Sequence, residues 1–439
     1  SLWYHQAGTP LVTASGAYDA TTATFTLSLE QMVPATPGQP SKEPMHIPLS
    51  FALILADGTV ATATGVTGGE VTGEVLHLTE RNQTFTFTGI ASRPVLSLNR
   101  SFSAPINLHL DQSPDDLAHI ARHDPDLFAR WQALTDLALP SLIQATRDLQ
   151  DGKTVETPSA LITALIETAD DESLEPAFRA QVLTLPSEAD IARELGRNND
   201  PDAIHAGRTS VLAAIAEAGV STFQSLFQTM RPDGAFSPDA QDAGKRALRN
   251  IALSYLTYAE QSPAPVAEAF SDADNMTDLL QALTLLAHRF PDSGETEGAL
   301  GAFLTRFDAN PLVIDKWFAV QATIPGAATL DRVNALMNDP HFTPGNPNRV
   351  RALVGSFAFS NPTGFNRADG AGYRFLASQI LQIDPKNPQL AARLLTSMRS
   401  WRSLEPQRAD HARSALLTID RSATLSNDVR DIVERMLKG

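Results

Sequence analysis

An all-β domain followed by an all-α domain is the fold class this multidomain sequence predicts, divided into residues 1–106 and 107–439. Three observations predict it. Short runs before residue 106 alternate apolar and polar residues with period two, broken by Gly, Pro and Asp. From Ser113 onward the apolar spacing becomes helical and stays so to the end. The length, 439 residues, exceeds what one hydrophobic core ordinarily serves.

The first half reads as strands. Thr24–Met32 places Phe25, Leu27 and Leu29 on one face and Thr24, Thr26, Ser28 and Glu30 on the other, as a half-buried strand requires. Further strands are expected over Pro10–Ala14, Ile47–Leu55, Thr59–Ala63, Glu74–Thr79, Gln83–Thr88 and Val95–Asn99, and the first residues, Ser1 to Tyr4, also read as strand. Asp57-Gly58 suits a tight hairpin turn. The Pro-rich stretch 34–48 is expected to cross between sheets, and the glycines of 65–73 to form turns. About seven short strands in about a hundred residues is the pattern of an immunoglobulin-like β-sandwich. The Cys–Trp–Cys hallmark is missing, because the chain has no cysteine.

Ser113-Pro114-Asp115-Asp116 opens the helical half: a capping hydroxyl, Pro at the first helical position, and acids at the positive end of the helix dipole. Some eighteen helices are expected from there to residue 438, among them 114–123, 201–218, 238–258, 311–322, 347–358, 387–402 and 404–419. The connections are short and often carry Pro or Asp, as in Leu185-Pro186-Ser187 and Asp384-Pro385. That pattern predicts an α-solenoid of armadillo/HEAT-like helical repeats, with no fixed sequence period.

Lys plus Arg number 34 and Asp plus Glu 50, a formal charge of −16. A surface of that sign repels phosphate, which argues against nucleic acid as a partner. Disulfides and thiolate metal sites are excluded, and a reducing cytoplasm accommodates a chain without cysteine most easily. No secretory-signal pattern and no run of about 18 apolar residues is present, so no membrane association is expected. The abrupt start without Met suggests a C-terminal piece of a longer protein.

The search for catalytic motifs is negative. There is no H-E-x-x-H, no G-x-S-x-G, no P-loop and no dinucleotide fingerprint. His119 and His123 lie one helical turn apart, but Ile120 stands where a metallopeptidase needs Glu and no third ligand is evident. Asp170–Glu175 and Asp272–Asp278 are acidic without calcium-loop spacing, and read as solvated loops with helix caps. No catalytic residue and no metal ligand is assigned; the chain is expected to bind or shape something.

Candidate binding residues come from Asn346–Arg402. Asn346-Pro347 and Asn387-Pro388 both read as capped helix starts. Val350, Leu353, Val354 and Phe357 form one apolar face, and Leu390, Leu394, Met398 and Trp401 another. Arg351, Gln389 and Arg393 stand beside these faces. In so acidic a chain such arginines could grip a carboxylate or peptide backbone; the alternative is that each makes a structural ion pair. Val313, Ile314, Trp317 and Phe318 make a broad apolar face that reads as core.

Several segments, taken together and in order, resemble the C-terminal half of the bacterial aminopeptidase N family, gluzincin-type zinc aminopeptidases. They are Leu2-Trp3-Tyr4-His5-Gln6-Ala7-Gly8-Thr9-Pro10, Pro34-Ala35-Thr36-Pro37, Met45-His46-Ile47-Pro48, Phe102-Ser103-Ala104-Pro105, Ala247-Leu248-Arg249-Asn250, Asn275-Met276-Thr277-Asp278, Asp315-Lys316-Trp317-Phe318, Asn346-Pro347-Asn348-Arg349 and Asn387-Pro388-Gln389. The resemblance implies a β-sandwich domain and a helical-repeat domain that caps a catalytic domain and encloses the substrate chamber. It implies Zn2+ only in the full-length parent, since the family's H-E-x-x-H and G-A-M-E-N segments do not occur here. Implied partners are the N-terminal and catalytic domains of the same protein and peptide substrates, in the bacterial cytoplasm. Arg351, Gln389 and Arg393 would then face the chamber and hold the distal part of a peptide; Ala392 stands where the family usually has Ser. As a fragment the chain is expected to be inactive, with an apolar patch where the catalytic domain docks. A stand-alone helical-repeat interaction scaffold is the alternative, and a hydrolase with an unrecognised site a third reading.

Overall fold

The computed structural model describes residues 2–232 and 234–438. They form two compact units, one of residues 2–140 and 158–185, the other of residues 141–157 and 186–438. The division at Pro140 falls inside the helix Leu127–Gln150.

The first unit contains the sandwich, with strands β1 Leu11–Asp19, β2 Thr24–Met32, β3 Ile47–Ile54, β4 Gly65–Thr67, β5 Val71–Thr72, β6 Val75–Leu78, β7 Asn82–Thr88, β8 Val95–Leu98 and β9 Asn107–Leu110. One sheet has the order β4-β7-β2-β1-β9 and the other β5-β6-β3-β8. β1 pairs antiparallel with β2, Leu11 opposite Met32, and parallel with β9, Leu11 opposite Asn107. Phe25, Leu27 and Leu29 are buried as the alternation requires, in one core with Leu49, Leu53, Phe85 and Phe87.

Four readings differ from the sequence expectation. Residues 2–5 form a short helix, not a strand, held by the Trp3 indole N–H donating to the His46 carbonyl at 3.0 Å. Thr59–Ala63 contributes only a bridge, Val60 to Ile54, after the Asp57-Gly58 turn, while the glycine-rich stretch 65–73 holds two short strands. The last strand, Asn107–Leu110, lies beyond residue 106, where the sequence placed the end of the sandwich. Four residues with polar Asn107 and His109 carry too short an alternation to be read without their partner. Helices Pro114–His123, Ser159–Asp170 and Pro176–Val182 complete this unit.

The second unit is helical, with one core running from Leu253 to Val433. Its helices start by a recurrent local device. Asp200, Asn310, Asn346, Asn361 and Asn387 each accept a backbone N–H two or three residues on, and each is followed by Pro at the first helical position. The helix begun at Pro347 widens into a π turn over Arg351–Gly355, where the Ser356 N–H reaches back to the Arg351 carbonyl, and resumes as Ser356–Ser360. The helix starting at Pro388 ends at Leu395 and gives way to short 3-10 turns, so the expected 387–402 helix is broken.

Early and late parts of this unit meet directly. The Asn199 N–H donates to the Ser403 carbonyl at 2.9 Å, and the Glu405 N–H to the Asn199 carbonyl at 3.0 Å. Beside this bridge the buried Arg408 guanidinium reaches Asp200 and Glu405, both at 3.1 Å, and Asp202, while its Nε donates to the Asn366 carbonyl at 2.5 Å. No single described helix is long and apolar enough to cross a membrane.

Candidate functional site

Arg351 opens the π turn and is exposed, its Nη1 donating to the Asn348 Oδ1 at 3.0 Å. Arg393 lies in the helix Pro388–Leu395, also exposed, with its guanidinium 5.8 Å from the ring centre of Phe359. Phe359 is itself 45 % exposed and sits in the helix that continues from Arg351. The two helices touch: a Cβ placed on Gly355 would lie 3.7 Å from both the Arg351 Cβ and the Leu394 Cδ2. Gln389 is exposed near the start of the Arg393 helix and has no hydrogen bond to another described residue. Among the described residues, no carboxylate lies within ion-pair distance of Arg351 or Arg393.

A third arginine, which sequence reading passed over, makes the structural ion pair. Arg349 is buried, bonds the Asp315 carboxylate at 2.7 Å and lies 5.3 Å from the Phe318 ring centre. Its signal is the helical period. Two positions apart on a helix are about 200° apart, so Arg349 and Arg351 cannot share a face. Val350, Leu353, Val354 and Phe357 are buried, as are Val313, Ile314, Trp317 and Phe318. The Trp317 indole N–H donates to the Leu300 carbonyl at 3.0 Å.

The histidine pair is built as the spacing requires, with the His119 and His123 ring centres 4.6 Å apart. His119 Nε2 lies 2.8 Å from the Leu55 carbonyl, and burial holds His123 below its ordinary pKa. Among the described residues no three His, Asp or Glu side chains are grouped to hold a metal ion, so these residues offer no ligand set for Zn2+. The acidic stretches do structural work: Asp171 accepts from the Ser173 N–H and pairs with Arg130 at 3.2 Å, and Asn275 caps the helix at Asp278. Exposed apolar side chains include Phe102 and Leu127 of the first unit, where Phe102, Phe128 and Trp131 form a run of rings 5.7 and 5.6 Å apart.

Comparison with known proteins divides the chain between residues 111 and 114, inside the first compact unit. Residues 8–111 match the domain of unknown function DUF3458, described as an Ig-like fold, and residues 114–438 match DUF3458_C, described as ARM repeats. Aminopeptidase N of Escherichia coli (strain K12) is 34 % identical over 438 residues, covering 99 % of this chain and 50 % of that protein. Aminopeptidase N of Caulobacter vibrioides is 40 % identical over 439 residues, covering 99 % and 49 %. A crystal structure of Legionella pneumophila aminopeptidase A in complex with aspartic acid superposes with a TM-score of 0.82 at 27 % identity, covering 99 % of this chain and 49 % of that one. The chain spans about half the length of the curated relatives it matches, an end-to-end likeness that does not favour a stand-alone scaffold. It belongs to the DUF3458 family, an Ig-like fold followed by ARM repeats, and matches the C-terminal half of bacterial aminopeptidase N.

Proposed function

We propose that this chain is the non-catalytic C-terminal region of a bacterial zinc aminopeptidase N. In this reading it caps the catalytic domain carried by the rest of the protein, encloses the substrate chamber and helps bind peptides. The parent, acting in the cytoplasm, removes N-terminal amino acids with a zinc-activated water supplied outside this chain. One observation carries the binding role. In a chain of net charge −16, Arg351 and Arg393 stand exposed on touching helices with no carboxylate partner among the described residues. A guanidinium so placed, even with the Arg351 Nη1 donating to Asn348, keeps further donors for an incoming carboxylate or peptide carbonyl. Gln389, with no hydrogen bond to another described residue and both donors and an acceptor on its amide, suits the peptide backbone. The exposed Phe102 and Leu127 suit burial against the catalytic domain.

The test has two arms. The isolated chain, assayed with a chromogenic aminoacyl anilide and added zinc, is expected to show no turnover; turnover overturns the reading. In the full-length protein, Arg351→Ala and Arg393→Ala are each expected to raise KM for peptides about tenfold, the worth of a charge-assisted hydrogen bond, and to leave a short anilide almost unchanged. Equal effects on both substrates refute the chamber assignment.

A further inference from the structure

A pocket of about 40 Å3 lies within the helical unit, where the helix Ala240–Glu260 passes the turn between Ala264–Asp272 and Met276–Arg289. The space is about three times the least that holds one water, so it admits a molecule of a few heavy atoms. Two of the segments that carry the family resemblance meet here, since the Asn250 Nδ2 donates to the Asp278 Oδ1 at 2.8 Å.

Arg246, Arg249 and Asn250, three and four positions apart, share one face of the helix Ala240–Glu260. Arg246 is 5 % exposed and lines the pocket. Among the described residues its guanidinium has no hydrogen-bond acceptor and no carboxylate within ion-pair distance; the Phe236 ring lies 4.7 Å from its Cζ. Its nitrogens are not among the buried polar atoms that are both unpaired and closed to solvent, so they open into the pocket. Arg249 is half-buried, and its Nε donates to the Phe227 carbonyl at 3.2 Å, which leaves its Nη groups unbonded among the described residues. Burial holds the Arg249 pKa below its ordinary value, against the pull of the Asp278, Asp272 and Asp274 carboxylates. A charge is costly to bury unpaired, so these donors need an acceptor.

The acids of the lining stand elsewhere. Asp278 is occupied at both oxygens, by Asn250 and by the Asn275 Nδ2 at 2.9 Å. Asp272 and Asp274 are exposed at the mouth, and neither has a Lys or Arg within ion-pair distance among the described residues. Asp272 also ends the helix Ala264–Asp272, at the negative end of its dipole. The fully buried charge of the pocket is therefore positive, and two unpaired acids stand at its mouth beside the exposed Arg231.

We propose that this pocket binds a small free amino acid, glycine or alanine, as the zwitterion. The carboxylate takes the fork of Arg246, with the Arg249 Nη groups beside it. The ammonium stays at the mouth, facing Asp272 and Asp274. A divalent anion meets those two acids, and a bare amine meets Arg246; a zwitterion suits both ends. Its occupant ties the helix Ala240–Glu260 to the turn at Asp272–Asn275. The pocket shares no residue with Arg351, Gln389 and Arg393, so it stands apart from the peptide-binding reading.

Three small ligands test this on the unaltered chain by calorimetric titration and thermal unfolding at fixed ionic strength: glycine, acetate and methylammonium. Glycine is expected to bind saturably at millimolar concentration and to raise Tm. Acetate, which lacks the ammonium, and methylammonium, which lacks the carboxylate, are each expected to bind at least about tenfold more weakly, since each forfeits a charge-assisted hydrogen bond. Arg246→Met is expected to abolish glycine binding with the far-UV spectrum unchanged. Asp272→Asn combined with Asp274→Asn, both exposed positions, is expected to bring glycine down to the level of acetate. Acetate binding as tightly as glycine, no heat or Tm shift with glycine, or undiminished glycine binding by a folded Arg246→Met or by the double variant overturns the proposal. If Arg246→Met fails to fold, the order of the three ligands and the double variant decide.

Discussion

Arg408→Met is the most informative single change in the helical unit. Arg408 is 5 % exposed and joins Asp200, Asp202 and Glu405 to the Asn366 carbonyl. Met preserves most of the volume of the stem and removes the charge and every donor. Breaking a buried ion pair from one side costs about 3–5 kcal/mol, because the other side is left uncompensated. Here the stranded carboxylates keep some solvent, with side-chain exposures of 31 % for Asp200, 60 % for Asp202 and 20 % for Glu405. Asp200 and Glu405 also go on accepting N–H groups at their own helix starts. The lower end applies, so the expected loss is about 3 kcal/mol, or about 6–12 °C in Tm for a unit of this size. Differential scanning calorimetry reads it directly. Asp202→Asn is the control, since an exposed partner is worth under about 1 kcal/mol. A shift under about 2 °C for Arg408→Met, or equal shifts for both variants, would refute the view that this network joins the early and late helices.

Two glycine substitutions are expected to act with opposite sign. Gly372→Ala puts a Cβ 2.0 Å from the Phe365 carbonyl oxygen and is expected to cost about 3 kcal/mol, whereas Gly298→Ala meets nothing within 4 Å inside the helix Gly294–Phe307 and is expected to gain about 0.5–1 kcal/mol, both read by urea unfolding. Trp317→Ala removes a buried ring and the indole bond to the Leu300 carbonyl, at an expected cost of about 3–5 kcal/mol in the same assay. Burial pushes the His288 pKa down from 6.5 to about 4, against a smaller opposing pull from the Val320 carbonyl. The unfolded chain therefore binds the proton more readily, so this residue's contribution is full above pH 6.5, falls as pH drops below it and levels off near pH 4. Replacing His288 by Gln is expected to flatten that segment of the stability–pH curve, and an unchanged slope counts against it.

The helix starts are legible because their chemistry is local. Asn310, Asn346 and Asn387 each cap an N–H within three residues and are followed by Pro, so the signal and the structure occupy the same few positions. The β2 alternation is legible for the same reason. What escapes is what depends on distant partners. β9 exists because Leu11 lies alongside Asn107, and the helix at residues 2–5 is held through the His46 carbonyl. At the candidate site, the apolar faces around Arg351 and Arg393 can be read from spacing. That Arg349 takes the carboxylate, while Arg351 has none among the described residues, depends on Asp315 of another helix, which no local pattern announces.

The π turn at Arg351–Gly355 has a directional consequence. Successive residues of an unbroken α-helix advance by about 100°, so Arg351 and Phe359, eight positions apart, would point about 80° away from each other. One residue accommodated in the wider turn takes back a single step and leaves about 20° between them. The insertion thus acts as an azimuthal correction, turning the ring on which the Arg393 guanidinium rests toward the side that carries Arg351. Deleting one residue there would close the wide turn to ordinary α-helix and keep these directions, leaving Phe357 in the core and Phe359 about 20° from Arg351.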